Sequence, residues 1–410
     1  MNNTPELLSP AGDLDKMRFG IAYGADAVYM AGTRFGMRAA ATNFDDNALR
    51  EGIAYAHAHG VKCYITVNIM PSNRDLPALP AYLELLQDAG ADALIIADGG
   101  VMRMARKYAP SVPVHISTQT SILNHEAANY WADEGAERIV LARELSLEEI
   151  AEIRAKTPKE LEIEAFVHGA MCISYSGRCL ISQYMTGRDA NHGACAQPCR
   201  WNYSLMEEKR PGQFFPVEED GRGTYLYNSK DMCMIEHVPE LIKAGITSFK
   251  IEGRNKTAYY AACVTGAYRA AIDTYKKDPE NFVLPQFCRD EVNKVSHREY
   301  YTGFYFGNQE NGQHYGDSQY IREYEVVGMP VECDDSGRAV FALKNRFFDG
   351  EELELIQPGQ APYVFRAENV TDDEGTEREL FNVPQMRVHF AFPFKVSEWA
   401  ILRKVKERPE

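Results

Sequence analysis

The chain has 410 residues, which is enough for two domains with a large buried core, and a formal net charge of −15. This excess of acidic residues argues against sequence-independent binding of nucleic acid over the whole surface, so any RNA partner would have to meet a local basic patch. The N-terminal stretch MNNTPELLSPAGD lacks the basic and apolar regions of a signal peptide, and no apolar run reaches the length of a membrane span, so we expect a cytoplasmic protein with no membrane partner.

Short apolar runs alternate with helical patterns in the N-terminal part of the chain, which is typical of repeated βα units. The predicted strands are 6–8, 27–30, 62–68, 93–97, 114–117, 138–142, 162–168 and 248–252. Eight such units favour an α/β fold of the TIM type, a closed (β/α)8 barrel. A doubly wound open sheet is the alternative, but the first turn, Ser9-Pro10-Ala11-Gly12, does not match the GxGxxG pattern of that fold.

The regular spacing fails once, between strands seven and eight, where about eighty residues replace an ordinary crossover. We predict a cysteine-bearing insertion at 172–233 within a barrel domain that spans 1–310. Two helices are predicted after strand eight, at 258–275 and 291–300.

A small antiparallel β-barrel domain is predicted at 319–410, because short alternating runs are separated there by Asp-Gly and Pro-Gly turns. The predicted runs are 324–327, 339–343, 352–356, 363–367 and 388–392. The boundary between the domains is placed at 310–318, in a link rich in Gly, Asn and Gln.

Five cysteines mark the insertion and its end: Cys172, Cys179, Cys195, Cys199 and Cys233, with 6, 15, 3 and 33 residues between them. Thiolates select zinc, copper(I) or iron–sulfur clusters. Structural zinc prefers paired CxxC motifs, which are absent, so the wide spacing favours an iron–sulfur cluster. The alternative, that cysteines are buried small apolar residues, fits the glycine-rich surroundings poorly but is expected for Cys63, Cys263, Cys288 and Cys333.

The segment around the first two of these cysteines contains Glu164, Phe166, Gly169, Ala170, Met171, Cys172, Gly177, Cys179, Ile181 and Ser182. This set of residues resembles the signature of peptidase family U32, the collagenase-like proteins. The resemblance extends to Leu8-Ser9-Pro10-Ala11-Gly12, Ser117-Thr118-Gln119, Lys250-Ile251-Glu252-Gly253-Arg254 and Tyr301-Thr302-Gly303-Phe304, and therefore covers most of the chain.

This resemblance implies a barrel that carries a 4Fe-4S cluster on four cysteines. Carried over to this chain, three ligands are Cys172, Cys179 and Cys233, and the fourth is Cys195 or Cys199, with Cys195 preferred. Several relatives are oxygen-independent hydroxylases that form 5-hydroxyuridine at the wobble position of tRNA, or modify a ribosomal RNA cytidine or a ubiquinone precursor. The chain looks most like the tRNA branch, which implies tRNA and a small-molecule hydroxyl donor as partners.

Other family members carry the name of proteases, so proteolysis is the alternative. Its usual sequence patterns are missing. His125-Glu126 is not followed by the second histidine of HExxH, and Ser176 does not lie in a GxSxG motif. A cysteine protease would need one thiol paired with a base, and not four thiols that compete for a metal.

An enzyme that hydroxylates RNA needs cations that bind phosphate, aromatic rings that stack on bases and a nearby redox centre. The candidate substrate-binding residues are Arg178, Arg188 and Arg200 in the insertion, Lys250 and Arg254 after strand eight, and Tyr175. His168 and Glu252 lie at the ends of strands seven and eight, where they are candidates for acid–base work. The alternatives are that His168 orients the loop and that Glu252 pairs with Arg254 or Lys250.

Overall fold

The computed structural model of the chain describes residues 4–36, 43–172, 181–188, 195–198, 219–220, 223–224, 230–307 and 320–406. The strands of the N-terminal part are β1 (Glu6–Pro10), β2 (Ala27–Met30), β3 (Lys62–Val67), β4 (Ala93–Ile96), β5 (Val114–Ile116), β6 (Arg138–Val140), β7 (Glu162–Ala170), β8 (Glu219–Asp220), β9 (Gly223–Thr224), β10 (Asp231–Cys233), β11 (Ser248–Ile251) and β12 (Tyr300–Tyr301).

Strands β1 to β7 pair in parallel and in chain order, and β11 closes the circle by pairing with β1 on one side and β7 on the other. The predicted TIM-type (β/α)8 barrel is therefore confirmed. Helices surround the barrel because its outer face is apolar, and most of the largest core cluster lies between the two layers.

The helices are α1 (Leu14–Ala22), α2 (Asp46–Ala58), α3 (Leu79–Asp88), α4 (Gly99–Tyr108), α5 (His125–Asp133), α6 (Leu147–Ala155), α7 (Ile181–Thr186), α8 (Val238–Lys243), α9 (Ala258–Lys277) and α10 (Gln286–Lys294). The prediction of a helix at 291–300 is wrong at both ends. Pro285 stands at the N-cap of α10, and after Lys294 the chain turns extended to pair His297 with Ile321. No described helix has both the length and the apolarity to cross a membrane.

The cysteine-bearing insertion begins and ends beside β7. Strand β10 runs antiparallel to the end of β7, so that Asp231 lies opposite Ala170 and Cys233 lies opposite His168. Strand β12 then pairs with β10. Gly169 has a φ of +107°, and a Cβ atom there would lie 2.5 Å from the carbonyl oxygen of Glu252. Only glycine fits where β7 bends away from the barrel.

The C-terminal part forms an antiparallel half-barrel around its own apolar core. Its strands are β13 (Tyr324–Cys333), β14 (Arg338–Leu343), β15 (Phe347–Phe348), β16 (Glu352–Ile356), β17 (Tyr363–Arg366), β18 (Thr371–Asp372), β19 (Leu380–Phe381), β20 (Arg387–Ala391) and β21 (Ile401–Val405). The main sheet has the order β17-β16-β21-β13-β14-β20-β18. The predicted boundary at 310–318 lies outside the described residues.

Buried charges join this sheet to the barrel. Arg403 of β21 is fully buried, and its guanidinium donates to Glu291 of α10 and to Glu354 of β16. Trp399 adds an edge-on contact with Phe19 of α1, with ring centroids 5.4 Å apart.

Candidate active site at the carboxyl end of the barrel

Three of the candidate residues, Cys172, His168 and Glu252, lie where barrel strands β7 and β11 end. This is the end of the barrel that carries the active site in TIM-barrel enzymes. Cys172 follows β7 by two residues and is exposed. Cys233 ends β10, and burial raises the pKa of its thiol to about 12. Cys195 is half-buried, and its sulfur accepts the backbone N–H of Gln197 at 3.4 Å.

The three described thiols fit an iron–sulfur cluster in their chemistry. All three are free, and an N–H donated to sulfur, as at Cys195, is a contact that tunes cluster ligands. Within the described ranges, no three side chains of His, Cys, Asp or Glu are close enough together to hold a metal ion. Cys179 and Cys199 lie outside those ranges, so the four-cysteine ligand set stays a prediction.

Ser182 connects two parts of the cysteine-bearing segment. Its side chain is fully buried on α7, where Oγ donates to the carbonyl oxygen of Arg188 and accepts the N–H of Ala196, both at 2.9 Å. Ala196 is the neighbour of Cys195. The hydroxyl of Ser182 therefore fixes the position of that cysteine relative to α7.

His168 is buried among tyrosines. Burial lowers the pKa of its imidazole to about 3, with smaller contributions from nearby His297 and Lys256. Because Tyr300 donates its hydroxyl hydrogen to the carbonyl of Val292, its oxygen accepts Nε2–H of His168 at 3.3 Å. The imidazole is thus neutral at physiological pH and serves as a hydrogen-bond donor beside Cys233, its partner across the strand pair.

Glu252 forms an ion pair, and its partner was not among the predicted residues. Nη2 of Arg143, which follows β6, lies 3.3 Å from the carboxylate of Glu252, and Nη1 donates to the carbonyl oxygen of Ala170 at 2.9 Å. The guanidinium also lies 3.8 Å from the ring centroid of Phe166. Arg143 therefore holds the exit of β7 toward Cys172. Its position just past a barrel strand was the available sequence signal.

Lys250 and Arg254 point into the barrel and not out to solvent. Lys250 is 4% exposed and donates to Glu164 at 2.6 Å. Arg254 is 5% exposed and donates to Thr66 Oγ1 at 3.4 Å. Glu164 also accepts from Arg138, so Lys250, Glu164 and Arg138 form an ion network inside the barrel.

Arg188 is exposed beside α7, and its backbone N–H donates to Thr186. The remaining predicted substrate-binding residues, Arg178, Arg200 and Tyr175, lie outside the described residues.

A second group of cations lies next to β10. The ring of Tyr320 has Lys256 Nζ at 4.4 Å, Arg298 Cζ at 4.9 Å and Arg322 Cζ at 5.6 Å from its centroid. Lys256 lies 3.9 Å from Asp231, which is two residues from Cys233 on β10. We call these four residues, Lys256, Arg298, Tyr320 and Arg322, the Tyr320 cluster. Sequence reasoning did not place them together, because Tyr320 joins the group only through the pairing of His297 with Ile321.

A model of peptidase family U32 matches residues 12–315, and a model of the C-terminal domain of that family matches residues 322–403. The chain is 38% identical over 404 residues to tRNA hydroxylation protein P1 of Bacillus subtilis, which covers 98% of this chain and 95% of that protein. It is 39% identical over 332 residues to the 23S rRNA 5-hydroxycytidine C2501 synthase of Escherichia coli, covering 80% of this chain and 48% of the synthase. It is also 43% identical over 304 residues to an uncharacterized protease of Methanocaldococcus jannaschii, covering 73% of each.

Proposed function

Because the chain belongs to peptidase family U32, and a relative of nearly equal length is a tRNA hydroxylation protein, we propose that it hydroxylates tRNA. The product we propose is 5-hydroxyuridine at the wobble position, formed without molecular oxygen. The observation that carries this proposal is the 38% identity over 98% of the chain. The ribosomal RNA synthase among the relatives also modifies a pyrimidine at carbon 5, which supports the reaction class.

We propose a 4Fe-4S cluster on Cys172, Cys179, Cys195 and Cys233, with tRNA and a small hydroxyl donor as partners. Such a cluster would supply one-electron redox chemistry at the barrel mouth. The surrounding residues of the chain would keep that centre in place. Ser182 positions the neighbour of Cys195, Arg143 holds the exit of β7, and neutral His168 fills the space beside Cys233 without adding charge.

The Tyr320 cluster gives the proposal an electrostatic basis in an acidic protein. Cations grouped around an aromatic ring suit the phosphates and bases of RNA. The exposed member is Arg322, and the side chain of Lys256 is 17% exposed. Because the cluster borders β10, a bound RNA would lie close to Cys233. We expect tRNA binding to weaken steeply with salt.

Proteolysis has one observation in its favour, the name of the archaeal relative. The described chemistry gives it little support. His125 pairs with its neighbour Glu126 at 3.3 Å at the start of α5, and the residue where HExxH requires its second histidine is Asn129.

The proposed reaction is tested by deleting the gene and analysing tRNA nucleosides by mass spectrometry. We expect 5-hydroxyuridine and its derivatives to disappear and to return when the gene is restored. Unchanged levels in a cell with no second enzyme of this kind would contradict the proposal. Peptide cleavage that persists after the cluster is removed would favour the protease.

The ligand set is tested by alanine substitution after anaerobic reconstitution, with iron measured per chain. Loss of most of the iron is expected for Cys172→Ala, Cys179→Ala, Cys195→Ala and Cys233→Ala. The buried Cys63 and Cys288 are matched controls, and their alanine variants should keep their iron. Loss in Cys199→Ala but not in Cys195→Ala would move the fourth ligand to Cys199, and stoichiometric zinc without iron would exclude the cluster.

A further inference from the structure

The turn that follows β5 holds a glutamine at the mouth of the barrel. Gln119 lies in a single 3-10 turn, Thr118–Thr120, and is 3% exposed. Two hydrogen bonds fasten this turn: Thr118 Oγ1 donates to the carbonyl oxygen of Leu141 beyond β6, and Thr120 Oγ1 donates to that of Ser117, both at 2.9 Å. The turn is thus fixed to the ends of two neighbouring barrel strands.

The orientation of the Gln119 amide is set by Ser117. The hydroxyl of Ser117 accepts the backbone N–H of Gln119 at 3.4 Å and donates its own hydrogen to Oε1 of the same residue at 3.2 Å. The acceptor side of the amide is therefore occupied. Its donor side, Nε2, is shielded from solvent and has no hydrogen-bond partner among the described residues.

One further buried nitrogen atom follows the neighbouring strand: Nε of Arg143, beyond β6, also has no partner in the described part of the chain. Buried polar atoms are nearly always hydrogen-bonded, so two unsatisfied N–H donors beyond the ends of neighbouring barrel strands indicate a ligand that supplies acceptors. A low-dielectric site makes such a contact selective as well as strong.

We propose that Gln119 recognises the O4 carbonyl of a uracil base at the barrel mouth and thereby distinguishes uridine from cytidine. This inference rests on the proposed function, in which a uridine leaves the RNA stack to reach the site. Uracil presents an acceptor at position 4, whereas cytosine presents an amino donor. Against the amide of Gln119 a cytosine would place donor against donor and leave both unpaired, which a buried site penalises.

The experiment measures the affinity of the full-length chain for two fluorescent anticodon stem-loop RNAs that differ only in uridine or cytidine at the wobble position. We expect the wild type to prefer uridine by about tenfold or more. Gln119→Glu replaces the donor by an acceptor while keeping the contact with Ser117, so the preference should shift to cytidine. Gln119→Met removes the donor without adding charge, and the two affinities should become equal.

Gln87→Glu is a matched control. Gln87 also accepts a hydrogen bond from a serine, Ser111 at 2.8 Å, but it lies on the surface at the end of α3, toward the opposite end of the barrel. This variant should keep the wild-type preference. Circular dichroism will establish that each variant is folded.

The inference is overturned if the Gln119 variants retain the wild-type ratio, or if a wild type that hydroxylates uridine binds both RNAs equally. Failure of the proposed function looks different: tRNA from the deletion strain would keep all its 5-hydroxyuridine, whatever the binding ratio.

Discussion

Ser182 makes two hydrogen bonds with one buried hydroxyl, and they join α7 to the segment that carries Cys195. Ser182→Ala leaves the N–H of Ala196 without its acceptor, so Cys195 should lose its fixed position. We expect faster loss of iron from the reconstituted protein, measured as iron per chain after gel filtration, together with destabilisation of about 1–3 kcal/mol.

The control for this variant is Ser146→Ala, which removes a serine with a similar number of contacts in the capping box of α6. It should cost about 1 kcal/mol of stability and leave the iron content unchanged. Equal iron loss in both variants would show that Ser182 acts only through stability.

His115 is a second residue whose surroundings predict a measurement. Burial lowers the pKa of its imidazole well below the ordinary value, and the positive charges of Arg138, Lys250 and Lys62 lower it further. Tyr64 lies edge-on to the ring, with centroids 4.7 Å apart. In the unfolded chain, His115 therefore binds a proton near pH 6.5, whereas in the folded chain it stays neutral at that pH. The free energy of unfolding consequently decreases as the pH falls below about 6.5.

We predict that the unfolding free energy of His115→Gln decreases less steeply with falling pH than that of the wild type. The difference in slope should be up to about 1.4 kcal/mol per pH unit below pH 6.5. Urea unfolding of the wild type and the variant at pH 7.5, 6.5 and 5.5 checks the difference. Identical pH dependence of the two unfolding free energies would contradict the assignment.

At the scale of the elements, the buried guanidinium of Arg403 joins β21 to α10. No solvent is available there to replace its hydrogen bonds. Arg403 donates to Tyr259 as well as to Glu291 and Glu354. Without it, these two carboxylates would share only one nearby cation among the described residues, Lys294. We expect Arg403→Met to lower the free energy of unfolding by about 3–5 kcal/mol, measured with urea.

Lys395→Met provides the comparison, because Lys395 and Asp335 form an ion pair with side chains 70% and 88% exposed. Its effect should stay within about 0.5 kcal/mol. Combining Arg403→Met with Glu291→Leu should recover part of the lost stability, since one of the stranded carboxylates is then gone. If Arg403→Met lowers the free energy of unfolding by no more than Lys395→Met does, the buried ion pairs of Arg403 do not hold the two elements together.

The barrel strands could be predicted because each is a short apolar run with a turn before it, and this pattern depends only on neighbours in the chain. Strand β21 was missed for a physical reason. Arg403 and Lys404 interrupt its apolar pattern, yet both are buried because Glu291, Glu354 and Glu351 lie opposite them in the fold.

For the candidate site, too, local sequence patterns identify residues but not their contacts with distant parts of the chain. The cysteines and the two strand-end residues, His168 and Glu252, could be found from residue type and spacing. The partners of those residues could not, because they come from distant parts of the chain. Lys250 looks like a rim cation in the sequence, and only the position of Glu164 on the neighbouring strand makes it an interior one.

At the scale of the whole molecule, the pairing of β7 with β10 has an evolutionary consequence. Ala170 and Asp231 lie opposite each other, so the chain leaves and re-enters the barrel at one point. The entropy of closing such a loop depends only on the logarithm of its length, and doubling the roughly sixty residues between them would cost about 0.6 kcal/mol. Natural selection can therefore lengthen or shorten the stretches between the cysteines of this segment without unfolding the barrel, and descendants of one scaffold can diverge in substrate while inheriting the same framework.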